Sequence, residues 1–230
     1  MKKIGLLGGM SWESTQHYYR LINEGIRKEL GGLHSAELIL YSVDFDPIEK
    51  LQHQGDWDGC EKILKEASLS LEKAGAEGIL ICTNTMHKVA PGIEEALSIP
   101  LLHIADATAQ ALLKDGVQRV GLLGTAFTME QEFYKGRLTE KFGLDVLVPE
   151  ENDRNLVHDV IYQELCLGDI RSSSATEYYR IMEELRNRGA EAVILGCTEI
   201  GTLVSQEDTD IKLYDTTEVH ARSAVEFALS

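Results

Sequence analysis

Residues 75–85, Gly-Ala-Glu-Gly-Ile-Leu-Ile-Cys-Thr-Asn-Thr, and residues 189–199, Gly-Ala-Glu-Ala-Val-Ile-Leu-Gly-Cys-Thr-Glu, are two versions of one pattern. Each is a short apolar run that ends in small and polar residues. A second pair of stretches matches in the same way, because residues 3–9 read Lys-Ile-Gly-Leu-Leu-Gly-Gly and residues 119–125 read Arg-Val-Gly-Leu-Leu-Gly-Thr. The first pair is offset by 114 residues and the second by 116. These nearly equal offsets indicate that the chain consists of two duplicated halves.

Strands and helices alternate along both halves. The predicted strands are 4–7, 38–43, 78–82, 100–104, 119–123, 144–148, 192–195 and 212–214. The predicted helices are 12–30, 57–74, 128–142, 152–165, 174–188 and 218–229, with a loop or short turn at 44–55. The strands are almost continuously apolar, which is typical of parallel sheets covered on both faces. We therefore predict an α/β fold with two similar α/β domains, the first formed by residues 1–110 plus 215–230 and the second by 111–214. Such duplicated domains are expected to pack about a pseudo-twofold axis, with equivalent residues facing one cleft.

The composition narrows the choice of partners. The 230 residues include 38 acidic and 22 basic side chains, so the formal net charge is −16, which argues against binding to nucleic acid or to an anionic membrane. No signal peptide is recognisable, and no run approaches the ~20 apolar residues of a membrane helix. The four cysteines form no Cys-x-x-Cys pair. A reduced, cytoplasmic protein is the favoured interpretation.

Two residues at matched strand ends are candidates for catalysis. In open α/β sheets, ligands bind beyond the carboxyl ends of the strands, and Cys197 and Thr83 occupy equivalent positions there. A helix N-terminus lowers the pKa of a thiol, so Cys197 is expected to abstract a proton or attack carbon; the alternative is a small buried hydrophobic residue. Thr83 is a weaker acid that can donate or relay a proton, or simply cap the next helix.

The neighbours of these two residues bind substrate or cap helices. They are Asn84, Thr85, Thr198 and Glu199, of which Glu199 could accept a substrate ammonium group. His87 could orient Thr83 or lie on the surface. Cys82 is predicted to belong to the core, and Cys60 and Cys166 to pack inside helices. There is no metal-ligand spacing and no lysine in a pyridoxal context, so we expect neither a metal nor a cofactor.

Three motifs carry a resemblance to a known family. They are GLLGGMSWEST from Gly5, TNTMH from Thr83 and GCTE from Gly196, and together they make the chain similar to the aspartate/glutamate racemases, which work without pyridoxal phosphate. The resemblance implies two similar α/β domains with the active site between them, usually in a homodimer. It implies two cysteines on opposite faces of the substrate α-carbon, and it adds Met10 and Gln52 to the substrate-binding residues.

The sequence departs from the family pattern at the first catalytic position. Thr83 stands where the family usually has cysteine, whereas Cys197 is retained, as in the branch specific for L-aspartate and L-glutamate. The resemblance thus implies an isomerase of D-amino-acid metabolism that favours L-substrates. A racemase of broader specificity, a one-cysteine decarboxylase of the arylmalonate type and a non-catalytic module that binds an acidic amino acid are the alternatives.

Overall fold

The computed structural model describes residues 1–230, which form two compact units. The first unit comprises Met1–Ile104 and His220–Ser230, and the second comprises Ala105–Val219. The strands are β1 Ile4–Gly8, β2 Leu38–Ser42, β3 Gly78–Ile81, β4 Arg119–Gly124, β5 Asp145–Leu147, β6 Ala192–Gly196 and β7 Lys212–Asp215. The helices are α1 Trp12–Leu30, α2 Phe45–Gln54, α3 Trp57–Lys73, α4 Ala90–Ala96, α5 Ile104–Lys114, α6 Ala126–Glu130, α7 Glu151–Gln163, α8 Ser172–Asn187, α9 Ile200–Leu203 and α10 Thr216–Leu229.

Each unit contains one parallel sheet, and the two sheets share a strand order. The first sheet runs β2-β1-β3 and the second β5-β4-β6-β7. The repeated sequences therefore occupy the same places, since β1 corresponds to β4 and β3 to β6. The predicted α/β fold with two parallel sheets is confirmed.

The core of the first unit lies on both faces of its sheet. One cluster places Leu7, Ile79 and Ile81 against α3 and α4, and the other places Ile4, Leu6 and Leu80 against α1 and α10. All five residues of β1 are buried, and all four of β3. Burial on both faces explains why these strands read as continuous apolar runs rather than as alternating ones.

Three predicted elements differ from the structure. Residues 44–55 are not a loop but hold α2, which Asp44 caps by accepting a hydrogen bond from the Asp46 N–H and which Gly55 ends in the left-handed conformation. Residues 100–104 are not a strand: a single parallel bridge joins Leu101 to Ile79, because Pro100 has no N–H to donate and α5 begins at Ile104.

The predicted helix 128–142 is interrupted in the structure. Helix α6 ends at Glu130, and a separate short π-helix forms at Arg137–Lys141. Between them the backbone is extended at Gln131. The buried Tyr134 hydroxyl bonds to Thr108 on α5, and the Arg137 guanidinium binds the Asp106 carboxylate through two hydrogen bonds. These contacts with α5 take precedence over the helical pattern of the sequence.

Candidate active site

The first half-site is the loop Thr83–Thr85 together with Met10, Gln52 and His87, all in the first unit. The loop follows the buried strand β3, whose end is anchored because the Cys82 N–H donates to the Leu7 carbonyl at 2.9 Å and the Ser14 hydroxyl donates to the Cys82 carbonyl at 3.0 Å. Cys82 itself is fully buried and belongs to the core, as predicted. Thr83 is half-buried at the mouth of the strand, and Asn84 is buried.

His87 is a buried residue that holds the backbone of Thr83. Its Nδ1 lies 2.8 Å from the Thr83 carbonyl and its Nε2 accepts from the Ile104 N–H at 3.2 Å. A carbonyl only accepts and an amide N–H only donates, so the ring is the neutral tautomer with its proton on Nδ1. Burial and the nearby rings of His103 and His220 lower the pKa of His87 well below its ordinary value. The structure thus excludes a surface histidine and places His87 behind Thr83.

Met10 and Gln52 are both buried in the first unit. Met10 follows the Gly8-Gly9 turn and packs into the cluster formed with α3 and α4. The Gln52 amide donates to the sulfur of Met86 at 2.7 Å, which brings the side chain of α2 to the turn that follows Thr85. Their role in substrate binding stays a prediction.

The second half-site is the loop Cys197–Glu199 of the second unit. It follows β6, which approaches β4 closely where Gly196 pairs with Gly124. A Cβ at Gly196 would lie 2.8 Å from the Leu123 carbonyl oxygen, so only glycine fits here. This close packing fixes the point at which Cys197 leaves the sheet.

Cys197 forms a hydrogen-bonded pair with Glu199. The Cys197 thiol donates to the Glu199 carboxylate at 2.9 Å. Burial and the adjacent Glu199 charge raise the pKa of Cys197 well above its ordinary value. The expected lowering by a helix N-terminus does not occur, because α9 is only four residues long and a carboxylate lies against the thiol. Cys197 is therefore a neutral thiol with a proton acceptor beside it.

Thr198 and Asp215 connect the second half-site to the start of α10. The Thr217 hydroxyl donates to the Thr198 hydroxyl at 3.4 Å. Asp215, at the end of β7 and paired in register with Leu195, accepts from the N–H groups of Thr217 and Glu218 at 2.8 and 3.2 Å. Burial raises the pKa of Asp215 to about 6. Asp215 is not among the predicted site residues, although an aspartate between a strand and a helix is a recognisable N-cap signal.

Cys60 and Cys166 lie in different surroundings. Cys60 is buried in the core, as predicted, whereas Cys166 is exposed on the turn Leu165–Leu167 and does not pack inside a helix. No group of three or more His, Cys, Asp or Glu side chains is arranged to hold a metal ion. No helix is long and apolar enough to cross a membrane.

Each half-site, taken by itself, presents a group that exchanges protons. The second presents a thiol paired with a carboxylate, and the first presents a hydroxyl on a loop held by a neutral histidine. Neither the Thr83–Thr85 loop nor the Cys197–Glu199 loop contains a lysine or an arginine. The chemistry that such groups supply is proton transfer.

Comparison with known proteins agrees with this chemistry. The family model for Asp/Glu/hydantoin racemases matches residues 7–224. A candidate Asp/Glu racemase from Yersinia pestis is 53% identical over the full length of both chains, with a TM-score of 0.96. An aspartate racemase homologue from Pyrococcus horikoshii is 38% identical, again over the full length of both chains, with a TM-score of 0.88. The broad-specificity amino-acid racemase RacX of Bacillus subtilis is 24% identical over 96% of each chain. The chain belongs to the Asp/Glu/hydantoin racemase family of isomerases.

Proposed function

We propose that the protein is a cofactor-independent amino-acid racemase that acts on L-aspartate and L-glutamate and favours L-isomers. The observation that carries this proposal is the Cys197–Glu199 pair, in which a thiol at the end of a central strand touches a carboxylate at 2.9 Å. Such a pair supplies a thiol together with a carboxylate that takes up its proton. The resulting thiolate is the base that removes the weakly acidic α-proton of an amino acid.

Proton movement begins within this pair. Glu199 takes the proton of Cys197, and the resulting thiolate removes the α-proton of the bound L-amino acid. The thiol is restored and the substrate becomes a planar carbanion, while Glu199 holds the first proton and releases it to solvent before the next turnover. Because the thiolate exists only after this transfer, the raised pKa of Cys197 keeps the resting thiol protonated and ready to act as the acid in the reverse direction.

Reprotonation from the other face is assigned to the first half-site. Either the Thr83 hydroxyl or a water that it holds donates the proton and is recharged from solvent. A threonine hydroxyl is a far weaker acid than a thiol, so the same group is a poor base for the D-isomer. This asymmetry predicts that exchange of the α-proton is faster from the L-side.

A racemase of broader specificity is the second candidate. Two observations favour it: neither of the two loops offers a cationic side chain for a distal carboxylate, and RacX, a broad-specificity racemase, resembles nearly the whole chain. Under this alternative the proton transfers are the same, but the substrate side chain is not selected by charge.

Exchange of the substrate α-proton with deuterium from the solvent tests the proposed racemase activity. Each isomer of aspartate, glutamate and alanine is incubated with the protein in heavy water, and NMR follows the loss of the α-proton. We expect exchange of L-aspartate and L-glutamate with slower appearance of the D-isomers. Equal exchange of L-alanine establishes the broader racemase. The absence of exchange from every isomer overturns the racemase, and carbon dioxide release from an arylmalonate then identifies the decarboxylase.

Two variants connect the activity with the proposed residues. Cys197→Ala is expected to abolish exchange, whereas Cys166→Ser, which alters an exposed thiol, is expected to retain it. Thr83→Cys places a thiol on the second face, and we expect turnover of D-substrate to rise by roughly 10²-fold, the typical contribution of a competent acid or base. Full activity of Cys197→Ala contradicts the mechanism, and unchanged D-turnover of Thr83→Cys contradicts the explanation of the L-preference.

A further inference from the structure

Three buried histidines lie together behind the first half-site, in the core of the first unit. They are His87, His103 and His220, with exposed fractions of 1%, 4% and 0%. The ring centroids of His87 and His103 are 4.5 Å apart, and those of His87 and His220 are 5.8 Å apart. A buried polar side chain is costly unless its hydrogen bonds are satisfied. The partners of His87 and His220 therefore show what these rings hold in place.

His220, on α10, holds the carbonyl of Leu102. Its Nε2 lies 2.6 Å from the Leu102 oxygen, and its Nδ1 lies 2.9 Å from the hydroxyl of Tyr18 on α1. The carbonyl only accepts, so Nε2 carries the proton, Nδ1 accepts, and the Tyr18 hydroxyl donates. Burial lowers the pKa of His220 to about 4, so the ring is neutral near pH 7. Tyr18 thus fixes the tautomer with which His220 binds Leu102.

His87 and His220 bind the same short segment of backbone. His220 donates to the C=O of Leu102, and two residues further on the N–H of Ile104 donates to Nε2 of His87. Nδ1 of His87 donates in turn to the Thr83 carbonyl. Every donor in this series points toward Thr83, and a satisfied buried network of this kind rigidifies its surroundings. We refer to the series Tyr18, His220, Leu102–Ile104, His87 and Thr83 as the histidine path.

Helix α1 supports the loop after β3 at two points. The Ser14 hydroxyl holds the Cys82 carbonyl directly, and Tyr18, one turn further along the same face of α1, supports the Thr83 carbonyl through the histidine path. Two consecutive carbonyls after β3 are therefore fixed by side chains. Such precision matters for a weak acid, because a displacement of about 1 Å can reduce the rate of a reaction by about 10²-fold.

We propose that His220 and Tyr18 position Thr83 for delivery of a proton to the second face of the substrate α-carbon. This inference rests on the proposed function and deepens it, because it names residues that determine how often exchange of the α-proton ends in inversion. Both residues act through His87 on the backbone of Thr83, so they are positioning residues. Removal of the α-proton from the L-isomer belongs to Cys197 and does not depend on the histidine path.

Exchange and inversion are measured together, from L-glutamate in heavy water. Loss of the α-proton reports its removal at Cys197, appearance of D-glutamate reports delivery at Thr83, and the second rate divided by the first is the inversion ratio. His220→Phe keeps a ring and removes both hydrogen bonds. We expect its inversion ratio to fall at least about 10-fold, while loss of the α-proton changes by less than about twofold. His220→Gln retains an N–H for the Leu102 carbonyl and should restore most of the ratio.

Tyr18→Phe and Tyr134→Phe form a matched pair. Each removes one hydroxyl hydrogen bond from a fully buried tyrosine, the first in the histidine path and the second in the other unit, where Tyr134 bonds to Thr108. Tyr18→Phe should lower the inversion ratio severalfold, and Tyr134→Phe should leave it unchanged. An equal fall of exchange and inversion in His220→Phe, or an unchanged ratio in that variant when folded, overturns the proposal.

Nitrogen-15 NMR of the histidine rings tests the histidine path without activity. The unmodified protein should show His87 protonated on Nδ1 and His220 protonated on Nε2. In Tyr18→Phe the ring nitrogens of both histidines should shift, whereas in Tyr134→Phe neither should. A His87 ring that does not respond to Tyr18→Phe, in a protein that exchanges the α-proton, overturns the positioning role alone. A response of His87 without any exchange in the unmodified protein overturns the racemase and, with it, the role in inversion.

Discussion

At the scale of single residues, the two halves of the chain carry different reactive groups at equivalent positions. Thr83 and Cys197 follow equivalent strands, yet the first offers a hydroxyl and the second a thiol held by Glu199. The pairing of strand ends follows from the repeated sequence. The raised pKa of Cys197 cannot be predicted from the sequence. It depends on the direction of the Glu199 side chain, and the Cys-x-Glu spacing does not determine that direction.

Replacement of Glu199 by glutamine tests its role. Glu199→Gln removes a negative charge but keeps an oxygen that accepts the thiol proton, so the pKa of Cys197 should fall. We expect alkylation of Cys197, followed by peptide mass spectrometry, to reach half its maximum rate at a pH at least about one unit lower than in the unmodified protein.

The same variant separates two roles of Glu199. If the main role of Glu199 is to bind the substrate ammonium group, KM rises in Glu199→Gln while kcat changes little. If Glu199 instead takes up the thiol proton during turnover, kcat falls while KM changes little. Glu207→Gln, an exposed carboxylate on the turn Gln206–Asp208, is the matched control and should alter neither.

At the scale of elements, all seven strands are visible in the sequence as short apolar runs. This holds for the buried strands β1, β3, β4 and β6 and also for the partly exposed β2, β5 and β7. Helix α2 does not stand out in the sequence, since it contains Pro47 and several polar residues, although proline is tolerated in the first turn of a helix and Asp44 and Gly55 are ordinary cap residues. The interruption after α6 follows from contacts with α5, which no local pattern contains.

The cap of α10 makes stability depend on pH. The pKa of Asp215 is about 6 in the folded protein, above its ordinary value of 3.8, because the side chain is buried. The folded state therefore binds the proton more tightly than the unfolded state, and its stabilisation is present below the unfolded pKa and lost as pH rises through about 6.

Asparagine at position 215 should remove this dependence. Asp215→Asn keeps a capping oxygen for the N–H groups of Thr217 and Glu218 but cannot ionise. We expect the free energy of unfolding of the variant to exceed that of the unmodified protein by about 1–2 kcal/mol more at pH 7 than at pH 4. Urea unfolding at both pH values measures the difference, and an equal difference at the two pH values would show that Asp215 does not titrate in this range.

At the scale of the whole molecule, charge and duplication were both visible in the sequence. The net charge follows from composition, and the common strand order of the two sheets follows from the repeated segments. The position of β2 at one end of its sheet does not follow from the sequence, because an apolar run shows that a strand exists but not which strands lie beside it.

The division of the chain also sets an order of assembly during translation. The second unit is one continuous segment, Ala105–Val219, whereas the first also needs His220–Ser230. Ala221, Ala224 and Val225 of that segment complete the core around α1. Until the ribosome has released them, this apolar face of the first sheet is covered only by α1. The half that is translated first is thus the last to be completed, and during that interval it is the half most exposed to chaperones and proteases.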